Sequence, residues 1–454
     1  MLKNIKRILI ANRGEIAVRA IRAIRELGGE SIAVYSEGDK DSIHKDLADI
    51  SICIGPAPAN QSYLNIPSIL SAIEITNADA VYPGYGFLAE NPTFASILER
   101  SNIKFIGPSV HAIELTGDKA LARKAAIEAG VPVIPGSPPI ETLKEALEIA
   151  KEIGYPVLLK AAAGGGGRGM RAVHSEIELT RLLPVAQREA EASFGDGRVY
   201  IEKLILDPKH IEIQILADEH GNVVYIGDRE CSIQRRHQKL LEESPSPFIT
   251  DEVRKKMGEA AVKFAKQVNF SGAGTVEFIV DKDMNFYFIE MNGRIQVEHP
   301  VSEETSKIDL VAWQLLIADG QKLDFTQEDI KPEGHAIEFR INAEDPEKFV
   351  PNPGTIEDLY LPGGYGVRVD THIYKGYKIP PYYDSLIAKL IVKGRTREEA
   401  IIRGKRALKE FKLEGLKTTI PFHEKILNEK EFLDGTYTTT FVDNKYLKKN
   451  VEES

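Results

Sequence analysis

The chain has 454 residues, 43% hydrophobic and 28% charged, with a net charge of −10. At roughly 150 residues per domain this length predicts about three domains with substantial cores, and the composition excludes a disordered chain. The acidic balance argues against a general binder of nucleic acid or anionic membrane, so an anionic substrate needs a local basic site. Cys53 and Cys231 are the two cysteines. They make neither a disulfide framework nor a zinc site. No apolar run approaches the roughly 18 residues of a membrane span, and residues 1–13 lack a signal-peptide core, so a cytoplasmic protein is expected.

Arg7 to Ala11 reads as a short buried strand. Ala17, Ala20, Ile21, Ile24 and Leu27 follow at helical spacing, with Gly28 and Gly29 as the stop. Ser31 to Tyr35 is the next strand, and similar units run to Ile103–Gly107. They predict a parallel α/β domain over the first quarter of the chain. A helix is expected from Asp118 to Gly130. The middle, to about Pro332, mixes hairpins with helices and reads as α+β. From His335 short strands and turns predict a β-rich third domain, closed by a helix near Arg397 to Phe411.

Residues 156–170, PVLLKAAAGGGGRGM, place a glycine run between two apolar strands. Such a run frees backbone N–H groups to form an anion nest and keeps side chains from blocking a phosphate. Lys160 closes the preceding strand within reach of such a phosphate. Gly164, Gly166 and Gly169 formally satisfy G-x-G-x-x-G, but Met170 to His174 reads as a strand, where a dinucleotide fold requires a helix. A glycine flap over nucleotide phosphates fits best; a flexible linker is the plainer alternative.

Gly274–Val280 and Phe286–Asn292 flank a polar turn and predict a hairpin. With a four-residue loop, Lys282 to Asn285, Glu277 would face Glu290 and Ile279 would face Phe288. Opposed carboxylates roughly 5 Å apart repel unless a cation lies between them. Asn292 adds a neutral oxygen on the same face, which makes an oxygen-only set suited to Mg²⁺ or Mn²⁺ rather than zinc. The alternative is a solvated hairpin face, and a one-residue slip would undo the pairing. Strand alternation would continue the polar face through Arg294, Gln296 and Glu298, but a span of about 26 Å at 3.3 Å per residue exceeds one reaction centre. If both ends of that face serve one centre, a bend past Asn292 is expected.

Weaker signals stand elsewhere. Gln234, His237 and Lys239 lie in a basic run that is equally a solvated loop. His210 opens the strand Ile211–Ile215, where a surface histidine is the default. Tyr82 to Phe87 reads as a tight turn and Cys231 as structural. In His335–Asn342, alternation puts Arg340 and Glu338 on one polar face, either to serve a neighbouring site or to form an ion pair with each other.

Taken together, ANRGEI (11–16), YPGYGFLAEN (82–91), GGGGRGM (164–170), CSIQRRHQK (231–239), EMNGRIQVEHP (290–300) and RINAEDP (340–346) occur in one order along nearly the whole chain. In these motifs the sequence resembles the biotin carboxylases, ATP-grasp ligases. The resemblance implies an ATP-grasp fold of mixed α/β and α+β domains: 1–116, 117–332 with a mobile lid at about 132–206, and 333–454. It implies ATP held by Lys119, Lys160, Gly166, Gly167, Glu202, Lys203, Leu204, Ile205, His210, Gln234 and His237, along with Glu277 and Glu290. Glu277, Glu290 and Asn292 would carry Mg²⁺ or Mn²⁺, as two ions. Lys239, Arg294, Gln296 and the Val297 backbone would bind bicarbonate, and Glu298 would be its base. Arg340 and Tyr85 would face biotin. Gly293, where threonine is usual, and Ala163, where glycine or a small polar residue is expected, depart from the pattern.

The implied reaction is attack of bicarbonate on the γ-phosphate of ATP, giving carboxyphosphate, followed by carboxylation of biotin on a separate carrier protein. No Met-Lys-Met biotinylation site occurs. A carrier protein and carboxyltransferase subunits are therefore expected as partners, with a homodimer. The final acceptor, whether acetyl-CoA, propionyl-CoA, pyruvate or another, is not encoded here. The alternatives are another ATP-grasp carboxylate–amine ligase and a nucleotide-binding subunit without turnover.

Overall fold

The structure is a computed structural model describing residues 1–140, 142–161, 170–194 and 196–447. The N-terminal strands β1 (Arg7–Ile10), β2 (Glu30–Tyr35), β3 (Ile50–Cys53), β4 (Ala80–Tyr82) and β5 (Lys104–Phe105) form a parallel sheet in the order β3-β2-β1-β4-β5. The helix Gly14–Glu26 turns Ala17, Ala20, Ile21 and Ile24 onto it, as their spacing predicts, with Ile16 beside them and Leu27 half-buried at the edge. Its stop works through Gly28, whose φ of 81° suits only glycine without strain, and the N–H of Gly29 closes onto Ile24 O at 2.9 Å. The next predicted helix spans Lys119–Glu128, with Asp118 accepting from the N–H groups of Ala120 and Leu121.

Strands β6 (Val157–Ala161), β7 (Met170–Val173) and β8 (Val199–Lys203) make a small antiparallel sheet in the order β7-β6-β8. The helices Leu143–Ile153 and Glu176–Phe194 cover it through Ala146, Ala150, Leu179 and Leu183. The glycine run that joins β6 to β7, with Ala163, Gly166 and Gly167, lies outside the described residues.

The remaining strands are β9 (Lys209–Ala217), β10 (Val223–Arg235), β11 (Gln238–Ser244), β12 (Gly272–Val280), β13 (Phe286–Asn292), β14 (His335–Asn342), β15 (Asp358–Tyr360), β16 (Val367–Thr371), β17 (Leu386–Gly394) and β18 (Lys412–Glu414). Eight of them form one antiparallel sheet, ordered β13-β12-β9-β10-β11-β14-β17-β16, and β15 pairs with β18 apart from it. Through the β11–β14 pairing this single sheet joins the middle strands to those after His335. The helix Arg397–Glu410 packs Ala400, Ala407 and Leu408 over its far end, where the sequence predicts a closing helix. Among the described residues no helix is long and apolar enough to cross a membrane.

The β12–β13 hairpin corrects one expectation. Glu277 does face Glu290, but Ile279 pairs with Tyr287, and Phe278 takes Phe288. The loop is five residues, since Val280 pairs with Phe286 and Asp281 to Asn285 lie between them. Asp281 stabilises it by accepting from the backbone of Asp283 and Asn285. A bulge between Glu277 and Phe278 absorbs the odd residue and restores the carboxylate pair.

Gly274 lies on β12 three residues before Glu277, under the ring of Phe270. A Cβ there would meet Phe270 Cζ at 2.5 Å and Met291 Cε at 2.8 Å. Gly274→Ala should therefore lose about 1–3 kcal/mol in urea unfolding, the usual cost of overpacking. An unchanged midpoint would show that both side chains move aside freely.

Candidate active site

A cavity of about 1380 Å³ opens between the large sheet and the β6–β8 sheet, reaching the first domain's turns at Tyr85. Lys160 and Glu202 contribute from the small sheet, and His210, Gln234, Lys239, Glu277, Glu290, Asn292 and Arg340 from the large one. Lys119, Lys203, Leu204, Ile205, His237, Arg294, Gln296 and Val297 complete the predicted residues on its wall. Lys160 pairs with Glu202 at 2.5 Å. Lys203 turns its ammonium to the carbonyls of Gly154 and Tyr155. Tyr85 donates its hydroxyl to Glu15.

At the inner end one ammonium serves three carboxylates. Lys239 Nζ donates to Glu212 at 2.6 Å, Glu298 at 2.7 Å and Glu277 at 3.1 Å. Fully buried Arg229 supports Glu212 from behind and also reaches Gln214, Thr275 and Ser302. Burial lowers the Lys239 pKa by itself, but Glu212, Glu277 and Glu298 outweigh it and hold the lysine well above its ordinary value. Burial likewise raises the Glu298 carboxyl, and Lys239, Arg340 and Arg229 together drive it well below the usual range. Glu277 follows the same pattern, with Lys239 and then His210 overcoming its burial.

Of the two readings of Arg340, the ion pair with Glu338 does not form. Its Nε donates to Glu242 at 2.6 Å and its Nη2 to Glu298 at 2.8 Å, while Glu338 is not a partner. Alternation does put Glu338 on the same face, but the guanidinium reaches across to β11 and to the turn before the helix His299–Ser306.

The opposed hairpin carboxylates separate at their tips. Glu277 lies 3.0 Å from His210 Nε2 and accepts from Asn292 Nδ2 at 3.0 Å, whereas Glu290 turns to Lys119 at 3.3 Å. Each thus finds its own cation, which answers the repulsion of their register. The chain bends after Asn292, as expected: β13 ends there, and Glu298 stands at the N-cap position of the helix His299–Ser306, its side chain turned to Lys239 and Arg340 instead of capping. In the bend Arg294 bridges Glu90 at 2.9 Å, Asn292 at 3.1 Å and Gln296 at 3.2 Å. The Val297 carbonyl accepts from Lys389 at 3.0 Å. Gly293 is packed tightly, since a Cβ there would lie 3.3 Å from Pro108 and 3.5 Å from Thr116. Cys231, expected to be structural, is buried with its sulfur close to Glu212 and Glu298.

Sequence reasoning missed Glu212, Glu242 and Glu90. Glu212 had a signal: His210, Glu212 and Gln214 alternate with isoleucines, an unbroken polar face inside an apolar strand. Glu242 sits beside Glu243 in a stretch that looks solvated until the fold closes over it, whereas Glu90 stays exposed and has no neighbouring charge to mark it.

Two antiparallel sheets closing on a cleft of lysines, carboxylates and histidine define the class as an ATP-grasp fold. Residues 118–326 match the ATP-binding domain of the carbamoyl-phosphate synthase L chain, residues 4–113 the biotin carboxylase N-terminal domain, and residues 338–444 its C-terminal domain. Biotin carboxylase 1 of Bacillus subtilis is 56% identical over 97% of this chain and 98% of its own length. The crystal structure of a Campylobacter jejuni biotin carboxylase–β-γ-ATP complex is 51% identical with a TM-score of 0.90, covering 97% of this chain and 99% of that one. The Hydrogenobacter thermophilus 2-oxoglutarate carboxylase biotin carboxylase domain dimer, solved with MgADP, ADP and bicarbonate, is 50% identical with a TM-score of 0.88, covering 97% and 98%. The chain belongs to the biotin carboxylase family and is an enzyme of the ligase class.

Removing the shared ammonium should invert a pH dependence. With Lys239 present, Glu277 and Glu298 have depressed values. Their contribution is full above about pH 4.3, the unfolded value, and is lost as pH falls through their lower folded values. In Lys239→Met burial prevails, their values rise, and charged carboxylates are penalised instead. The variant should lose about 3–5 kcal/mol relative to wild type at pH 8, and less at pH 5. Denaturant unfolding at both pH values checks this; an equal difference at the two would contradict the charge argument.

Proposed function

We propose that this enzyme uses ATP and bicarbonate to carboxylate biotin on a separate biotin carboxyl carrier protein, by way of carboxyphosphate. The observation that carries the reading is Glu298, a buried carboxylate kept ionised between Lys239 and Arg340 behind the cavity wall. That is a base poised between an anion-binding lysine and an oxyanion-binding arginine. Lys119, Lys160, the glycine run with Gly166 and Gly167, Glu202 to Ile205, His210, Gln234 and His237 hold ATP in this reading. Lys239, Arg294, Gln296 and the Val297 backbone bind bicarbonate. As bicarbonate draws on Lys239, Glu298 loses part of its charge compensation, its proton affinity rises, and it takes the bicarbonate proton. Arg340, with Tyr85 beside the cavity, stabilises the biotin oxyanion in the second step.

Glu277, Glu290 and Asn292 fit Mg²⁺ or Mn²⁺, since they offer hard oxygens on adjoining and directly opposed positions of one hairpin. Such an ion, one or two in number, neutralises phosphate charge when bound. The proposed units are 1–116, 117–332 with 132–206 moving as a lid over the phosphates, and 333–454. The proposed setting is a cytoplasmic assembly of homodimers with carrier and carboxyltransferase subunits, which choose the final acceptor.

Phosphate release should need bicarbonate and Mg²⁺ or Mn²⁺ and rise with free biotin. A rate indifferent to bicarbonate and driven by an amine would place the enzyme among other ATP-grasp ligases. Arg340→Ala should cost on the order of 10²–10³ in carboxybiotin formation, the scale of one oxyanion donor. Bicarbonate-dependent phosphate release should fall much less, because Lys239 still holds Glu298. Proportional loss of both rates would rule out this role for Arg340.

A further inference from the structure

Glu242 on β11 and Glu338 on β14 are directly opposed cross-strand partners, and both are fully buried. Opposed carboxylates in a sheet repel. Glu242 Oε1 accepts from Arg340, but Glu242 Oε2 and both oxygens of Glu338 find no hydrogen-bond partner among the described residues. A buried carboxylate without a hydrogen bond is costly, so such a group keeps its proton. Glu338 is that group, and Glu242, joined to Arg340, is the member that can ionise. The charges facing the pair are Arg340 on β14, Lys389 on β17, Lys239 on β11 and Glu298 before its helix. Burial pushes Glu338 well up, with Lys389 opposing and Glu242 adding to it. Burial also raises Glu242, to about 7, with Arg340 opposing and Glu298 adding.

We propose that Glu242 is a positioning residue for the biotin-carboxylating step, holding Arg340 from behind while Glu298 loses its charge, with Glu338 keeping the single proton of the pair. The proposal rests on the role of Arg340 given above. Arg340 has two anionic partners, Glu242 and Glu298. When Glu298 takes a proton, one partner becomes neutral and the Nη2 N–H that faced it is free for an oxyanion, while Nε and the other side of Nη2 stay on Glu242. Glu242 then remains as the one counter-charge that keeps the guanidinium aimed at the cavity. Were Glu242 neutral too, Arg340 would turn to whatever anion the cavity holds. Were Glu338 also ionised, two carboxylates would draw Arg340 into the sheet. The arrangement needs one charge and one proton, which the pair's hydrogen bonding supplies.

The full chain is assayed with free biotin from pH 6 to 8, measuring carboxybiotin formed per phosphate released, beside thermal unfolding. In the wild type this ratio should rise with pH through about 7, as Glu242 ionises. Glu242→Gln should keep most of the bicarbonate-dependent phosphate release, with a ratio lowered roughly 10–100-fold, the scale of a misaligned catalytic group, and flat with pH. The KM for biotin should rise and that for ATP should not. A ratio like that of the wild type, or equal loss of both rates, overturns the proposal. If Glu242→Gln does not fold, Glu242→Asp withdraws the carboxylate by one methylene and should lower the ratio alone; an unchanged ratio again overturns it. A wild type that makes no carboxybiotin overturns the proposed function and this role with it. A wild type that does, beside an unaffected variant, overturns this role only.

Discussion

The inner end of the cavity depends on the ammonium of Lys239. Three carboxylates, Glu212, Glu277 and Glu298, converge on it from β9, β12 and the turn before the helix His299–Ser306. None of these groups is stable alone in a dry interior: desolvating one ion costs several kcal/mol unless a partner is in contact. Sharing the cation makes their positions mutually dependent. The cluster therefore ties separate strands and a helix start into one geometry, and it leaves Glu298 charged where water does not reach it.

A second layer sits behind the first. Arg229 holds Glu212, Glu242 holds Arg340, and Glu90 holds Arg294. Glu242 is more deeply buried than the Arg340 it aims, Arg229 and Glu212 are equally buried, and Glu90 holds Arg294 from the exposed side. Charge alternates outward from the core: Arg229, Glu212, Lys239, then Glu298 and Glu277. Each step offsets the last, so the site gathers many ionised groups with little net charge.

The hairpin and the bend divide the cavity. Up to Asn292 the chain is a strand, and its Glu290 turns to Lys119; beyond it the bend brings Arg294, Gln296 and Glu298 to the Lys239 and Arg340 end, where Glu277 also lies. A bulge of one residue keeps Glu277 and Glu290 in register despite a loop one residue longer than the four read from the sequence. Local backbone irregularity thus preserves a pairing that the side chains need.

Short-range order was legible in the amino-acid sequence. The helix Gly14–Glu26, the parallel strands around it and the hairpin with its opposed carboxylates follow from periodicity and glycine placement, and the bend after Asn292 from requiring both ends of the polar face to serve one centre. The motifs from Ala11 to Pro346 carried the family. Tertiary structure alone decided the partners. That Arg340 bonds Glu242 and Glu298 rather than its near neighbour Glu338, and that Lys239 gathers three acids from distant segments, depends on sheet order, and sheet order is long-range. Periodicity says which face a side chain takes. It is silent on which strand lies next, because β11 meets β14 across about a hundred residues of chain with no local signal to mark the pairing.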